Sequence, residues 1–153
     1  MAWPHCLSRA STNPFGDSRF FFESVLFDFM IGNRDNHLKN RSVPWSLDWD
    51  VHELSPLYDV TCTTVYPQLD REMGISLCPS RRIEDVTPDD IVRAGSPFRL
   101  SSEASWRIYQ GNRRDVLEAL GRAEEELRAR GFLGVSPIAE HIRADFETRA
   151  PWL

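Results

Sequence analysis

Residues 20–31 constrain this chain more than any others. Phe20, Phe21, Phe22, Val25, Leu26, Phe27, Phe29, Met30 and Ile31 fall within one short stretch. Wound at 3.6 residues per turn, they cover nearly the whole circumference of a helix. A helix that is apolar all round belongs in a core, so the spacing predicts a buried helix over residues 19–31, capped by Asp17 or Ser18. Gly32 and Asn33 end the run, because both tolerate positive φ and favour turns. The residues that follow are polar almost without exception: Asp35, Asn36, His37, Lys39 and Asn40. A loop that polar, held by an apolar anchor, is a usual place for chemistry.

The spacing within the loop narrows that chemistry. Asp35 and Asn40 stand five apart. In phosphoryl-transfer enzymes of the protein-kinase type, an Asp accepts the substrate hydroxyl proton and an Asn five residues on holds a metal ion. Lys39, between them, is placed to neutralise charge on a phosphoryl group. A second Asp on a separate loop is then needed for Mg²⁺, which takes hard oxygen ligands and only one or two protein carboxylates. Asp59, ending Leu54-Ser55-Pro56-Leu57-Tyr58-Asp59, is the candidate. Singly, each residue has a plainer reading: Asp35, Asn40 and Asp59 as turn formers, His37 as a structural histidine, Lys39 as a surface lysine.

Taken together, Asp35-Asn36-His37-Leu38-Lys39-Asn40 with Ser42, then Leu54-Ser55-Pro56-Leu57-Tyr58-Asp59, resemble the C-terminal domain of HipA-type serine/threonine kinases, the toxins of bacterial toxin–antitoxin pairs. The resemblance extends from about Phe20 towards the C-terminus, with its specific motifs between residues 31 and 59. It implies a mainly α-helical, kinase-like C-lobe over residues 19–150, with a small β-hairpin between the two motifs. It implies phosphoryl transfer from ATP to a protein Ser or Thr. Asp35 is then the catalytic base, His37 and Lys39 assist it, and Asn40 and Asp59 bind Mg²⁺ and, through it, ATP. The implied partners are a protein substrate and an antitoxin. Residues 1–34 contain no Gly-rich phosphate loop and no strand lysine, the parts that cover a nucleotide in a kinase. Activity is therefore expected to need an N-lobe from a separate chain. The alternative is a non-catalytic pseudokinase fragment that serves as an interaction module.

Composition bounds the rest. At 153 residues the chain suits one domain. A net charge of −5 argues against direct nucleic-acid binding. Cys6, Cys62 and Cys78 are odd in number and lack C-x-x-C spacing, which favours a reducing cytoplasm over a disulfide framework or zinc site. No run is long enough to span a bilayer, and no signal peptide is evident.

Residues 1–18 read as irregular, centred on the turn cluster Ala10–Asp17, with Trp3 and Phe15 needing a groove. Arg41–Glu53 alternates with period two around Val43, Trp45, Leu47, Trp49 and Val51, which predicts the hairpin, and residues 72–77 alternate again. Thr87 with Pro88 starts a helix. Ser101 or Ser102 starts a longer one, with a break expected near Gly111 and a C-cap at Gly131. A last helix is expected from Pro137.

Overall fold

The computed structural model describes residues 3–152, with side chains from His5 onward. Five α-helices carry the fold: α1 (Trp3–Ala10), α2 (Pro14–Ile31), α3 (Pro88–Gly95), α4 (Ser102–Ala129) and α5 (Val135–Arg149). Short 3₁₀ turns occupy Leu38–Asn40, Ile83–Asp85 and Ser96–Phe98. The architecture is mainly helical, and no described residue belongs to a β-strand longer than a single bridge. No described helix is long and apolar enough to cross a membrane.

α2 is the central element. It packs against α1, α4 and α5, while α3 packs on α4. Phe21, Phe22, Val25, Leu26, Phe29 and Met30 are all buried, as the apolar run requires. Phe98 meets Phe21 and Phe22 at centroid distances of 5.7 and 5.9 Å, and Phe146 of α5 meets Phe29 edge-on at 5.9 Å. From the irregular middle of the chain, Met73, Ile75, Leu77, Ile83 and Val86 complete the core.

The N-terminal segment departs from expectation. Residues 3–10 are helical, and α2 starts at Pro14 rather than near 19. Asn13 caps it, its side chain accepting from Gly16 N at 3.2 Å, with Pro14 in the first turn. Asn followed by Pro is a helix start as well as a turn signal, because proline at the first position loses no hydrogen bond and has φ preset. Asp17 is not the cap. It is buried and accepts from Ser11 Oγ at 2.6 Å and from Leu54 N at 2.7 Å. Phe15 remains 76% exposed, and the Trp3 ring lies outside the described side chains.

The expected hairpin over residues 41–53 is reduced to one antiparallel bridge, Trp45 with His52. Ser46 N donates to Val51 O at 2.7 Å, and Trp49 turns the chain at φ 65°. Trp45 stacks on His52 at 4.0 Å and leans on Trp49 at 5.7 Å. Aromatic packing closes this turn in place of a ladder. An isolated two-stranded ribbon is marginal in water, and Pro44 removes a ladder donor. Residues 72–77 likewise keep one bridge, Glu72 with Arg82. Their side chains alternate into the core, but the Gly74 and Ile75 amides are spent on Arg34 O and Asn36 Oδ1.

The later helices follow their signals more closely. Thr87 and Asp90 form a capping box, and Ser101 caps α4 by accepting from Ala104 N at 3.1 Å. Burial pushes the Asp90 carboxyl up, but hydrogen bonds from Thr87 and the Arg93 cation outweigh it and hold it below the ordinary range. α4 runs through Gly111 without a break, and Gly131, at φ 82°, closes it. α5 begins at Val135, two residues before expectation.

Tyr109 sits inside α4, fully buried, between Trp106 at 5.1 Å and Trp152 at 5.6 Å. Burial pushes its phenol up to about 12. A raised pKa stabilises the fold at every pH below the ordinary value of 10.0, and that contribution is lost as pH rises through about 12. Ultraviolet difference titration should show one phenol ionising near that upper value and Tyr109→Phe should remove it. Because the hydroxyl has no partner among the described residues, the same substitution should leave stability within about 1 kcal/mol of the parent or raise it.

Candidate functional site

The loop leaving α2 begins with a tight cap. Gly32 adopts φ 74° and its N–H returns to Phe29 O at 3.3 Å, while Asn33 N returns to Asp28 O at 2.8 Å. This is the paired closure that needs a left-handed residue just past the helix. A β-carbon on Gly32 would also run into the Thr64 side chain.

From there burial sorts the loop into two sets. Asn33, Arg34, Asn36, Asn40 and Arg41 are buried, whereas Asp35, His37, Leu38 and Lys39 are exposed. Most of the buried set is engaged in holding the loop. Arg34 donates to Thr63 O at 2.7 Å and Tyr66 O at 3.1 Å, and its N–H reaches Thr63 Oγ1 at 2.8 Å. Asn36 pairs both ways with Ile75, donating to its carbonyl at 3.1 Å and accepting from its N–H at 3.0 Å. Arg41 reaches back to Asp28 of α2 at 2.6 Å.

On this loop the sequence singled out three of the exposed residues, Asp35, His37 and Lys39, and the buried Asn40. Asp35 Oδ1 lies 3.2 Å from His37 Nε2, both side chains being about half exposed. Asn40 Nδ2 donates to Asp35 O at 3.0 Å, so the two residues five apart are tied to each other. That bond occupies the amide nitrogen and leaves Asn40 Oδ1, a hard oxygen, as the atom that could hold a metal. Lys39 is the only lysine in the chain, against 17 arginines (18 Lys and Arg in all, less Lys39).

The second stretch runs alongside the first. Ser55 N donates to Ser42 O at 2.8 Å, the two hydroxyls meet at 3.1 Å, and Tyr58 Oη donates to Lys39 O at 3.3 Å. Asp59 follows Tyr58 on an exposed turn at φ 56°. For Asp this left-handed conformation is tolerated at a modest cost. Thus Asp35, His37 and Asn40 are in direct contact, and Tyr58 brings the residue before Asp59 onto the same loop. Among the described residues no three His, Cys, Asp or Glu side chains gather as a metal cluster. An Asn oxygen with one carboxylate suits Mg²⁺, which completes its shell with phosphate oxygens and water.

A cleft of about 410 Å³ opens on the other side of Asp35, lined by Arg34, Asp35, His37, Asp70, Glu72 and Arg81 among others. Neither Asn40 nor Asp59 lines it. Asp35 and His37 therefore line the cleft, while Asn40 and Asp59 lie outside its lining.

Sequence reasoning missed the anchors: Asp28, Asn33, Arg34, Arg41 and Thr63. One signal pointed to them. Asp28 is an acid inside a helix that is apolar all round, and a charge there must find a partner. Burial pushes its carboxyl up, offset in part by the Arg41 cation and hydrogen bonds from Asn33, Arg41 and Asn36.

The curated "Putative kinase Y4mE" of Sinorhizobium fredii is 32% identical over 71 residues, 46% of this chain and 16% of its own length. "Putative kinase Y4dM" of the same organism is 25% identical over 134 residues, 86% of this chain. The chain spans only 30% of that second protein. The family model of the HipA-like C-terminal domain matches residues 5–125, which include α1 to most of α4 and both motifs. This chain belongs to the HipA-like C-terminal domain family.

Proposed function

We propose that this chain is the C-lobe of a HipA-like serine/threonine protein kinase, carrying the loop that transfers phosphate from ATP to a protein Ser or Thr. The observation that carries the reading is the joining of the two motif stretches. Tyr58 is fastened to Lys39 and Ser55 to Ser42, so the Asp59 turn adjoins the Asp35–Asn40 loop.

The roles follow from placement and chemistry. Asp35, exposed beside the cleft, accepts the proton of the incoming hydroxyl as its oxygen attacks the γ-phosphorus and the bond to ADP breaks. His37 holds the Asp35 carboxylate in orientation through its Nε2. Lys39 meets the negative charge of the transferring group. Asn40 and Asp59 would hold Mg²⁺, which would supply neutralisation of the nucleotide's phosphate charge. The phosphoacceptor is a protein, and the setting is the cytoplasm, in a toxin–antitoxin pair whose antitoxin is a second partner.

One observation favours a second reading. Residues 3–34 fold into α1 and α2 and the start of the loop, and they supply neither a strand lysine nor a Gly-rich cover for a nucleotide. Without the parts that cover a nucleotide, these residues would act as a non-catalytic interaction module.

The unique lysine makes the test direct. An acyl-phosphate derivative of ATP transfers its acyl group to a lysine held near the phosphates. With Mg²⁺ and an N-lobe chain present, labelling is expected at Lys39, with serine or threonine phosphorylation of an added protein. Alone, the chain is expected to label weakly and transfer very little, because positioning supplies most of the catalysis in this class. Rapid autophosphorylation by the isolated chain would overturn the dependence on an N-lobe, and no labelling in either case would favour the interaction module.

A further inference from the structure

We infer that Asp28 and Arg41 form a positioning pair that sets the geometry of the Asp35–Asn40 loop, a role that rests on the kinase reading above. Asp28 is completely buried on α2, three residues before the helix ends. One carboxylate oxygen accepts from Asn33 Nδ2 at 2.9 Å, and the other accepts from Arg41 Nη2 at 2.6 Å. Asn33 is where the chain enters the loop and Arg41 is where it leaves. A single carboxylate therefore cinches both ends. Arg41 also donates through Nη1 to Asn40 O at 3.4 Å, so the pair bears directly on the backbone of the metal-ligating residue. Asn40 in turn holds Asp35 through its amide.

The surroundings argue that geometry, and not stability, is what the pair supplies. Its side chains are 0% and 3% exposed. An ion pair so placed loses about as much in desolvation as it regains in attraction, and apolar residues of equal volume are often as stable or more so. Two of its neighbouring polar atoms, Arg41 Nε and Asn33 Oδ1, have no hydrogen-bond partner among the described residues. A site optimised for stability alone would not leave them so. What an apolar substitute cannot supply is a directional bond to each end of the loop. Asp28 and Arg41 touch no substrate and are positioning residues, not catalytic ones.

The deciding variant is the double change Asp28→Leu with Arg41→Met in the full chain. It removes both charges and keeps bulk. Thermal unfolding is expected to stay close to the parent, or to rise. Amide hydrogen exchange across residues 33–41 is expected to quicken by about tenfold or more, while exchange in α4 is unchanged. Labelling of Lys39 by the acyl-phosphate nucleotide, with Mg²⁺ and the N-lobe chain, should fall by a similar factor. Asp28→Asn, which preserves shape, supplies the same two readouts should the double variant fail to fold. Unaltered exchange in 33–41 in either folded variant would overturn the proposal, as would a loss spread evenly over loop and α4. If the unaltered protein takes no label at Lys39, the kinase reading falls, while the exchange measurement still decides whether the pair positions the loop.

Discussion

Asp35→Asn is expected to lower phosphoryl transfer by the protein complemented with an N-lobe chain by about 10²–10⁴-fold, the span that a general base contributes. The change keeps the shape of the side chain and removes its ability to take a proton. It should leave the fold intact, because the Asp35 side chain is 54% exposed and its pairing with His37 is a surface one. Far-ultraviolet dichroism and the unfolding midpoint should match the parent, so that the loss is in turnover alone. Asn40 binds the main-chain carbonyl of Asp35 and not its carboxylate, so the placement of Asn40 should survive. Nucleotide affinity should therefore change little. Asp59→Asn separates the other half of the site. It removes the one carboxylate of the proposed Mg²⁺ set, so on that reading it should weaken Mg²⁺-nucleotide binding as well as transfer. Transfer of radiolabelled γ-phosphate measures the first effect and calorimetric titration the second. Equal activity of the Asp35→Asn variant and the parent would sink the assignment of the base. Unchanged affinity in Asp59→Asn would remove that residue from the metal site.

The sequence was most legible where one property repeated at a fixed period. The apolar run after Phe20 could only be a buried helix, and the capping signals at Thr87 and Ser101 marked α3 and α4 at their observed starts. It was least legible where a residue type has two uses. Asn13-Pro14 serves a turn or a helix start, and the helix won because Phe21 and Leu26 needed burial on the same element. Period-two patterns at 41–53 and 72–77 suggested strands. In the second the alternation is real, and Met73, Ile75 and Leu77 are buried. Its backbone donors, however, went to the loop of residues 32–41 and not to a neighbouring strand. The candidate site divides in the same way. Asp35, Asn40 and Asp59 stood out because their chemistry fixes their spacing along the chain. Arg34, Asn36 and Thr63 did not, since a buried polar anchor and a solvated loop residue look alike in one sequence. Only burial separates them, and burial depends on partners 29 to 39 residues away.

Arg149→Ala is expected to destabilise the fold by about 3–4 kcal/mol, a larger loss than most single changes produce. α2 carries no basic residue in its last turn, although helix C-termini leave carbonyls unsatisfied and favour a cation. Arg149 of α5 fills that place from outside. Its Nη1 donates to Phe29 O at 2.9 Å, and its Nη2 lies 3.5 Å from Met30 O. The guanidinium sits 5.0 Å over the Phe29 ring and 2.8 Å from Asp145, with only 6% of the residue exposed. Alanine would leave Phe29 O with only the 3.3 Å bond from Gly32 N and take the Arg149 donor from Met30 O, at about 1–3 kcal/mol, and forfeit a cation–π contact of about 1–2 kcal/mol. The ion pair with Asp145 adds less, because that carboxylate is partly solvated. Arg149→Lys should recover only part of the loss, since a single ammonium lacks the planar fork that reaches two carbonyls at once. Urea unfolding with equal slopes would measure both variants. A loss below about 1 kcal/mol for alanine would mean that water caps α2 as well as Arg149 does. α5 lies beyond residues 5–125, the span that the family model matches. The helix that leads into the loop is thus capped from outside the matched span. Loosening that cap should be felt first at Asp28 and Gly32, where α2 hands over to the loop.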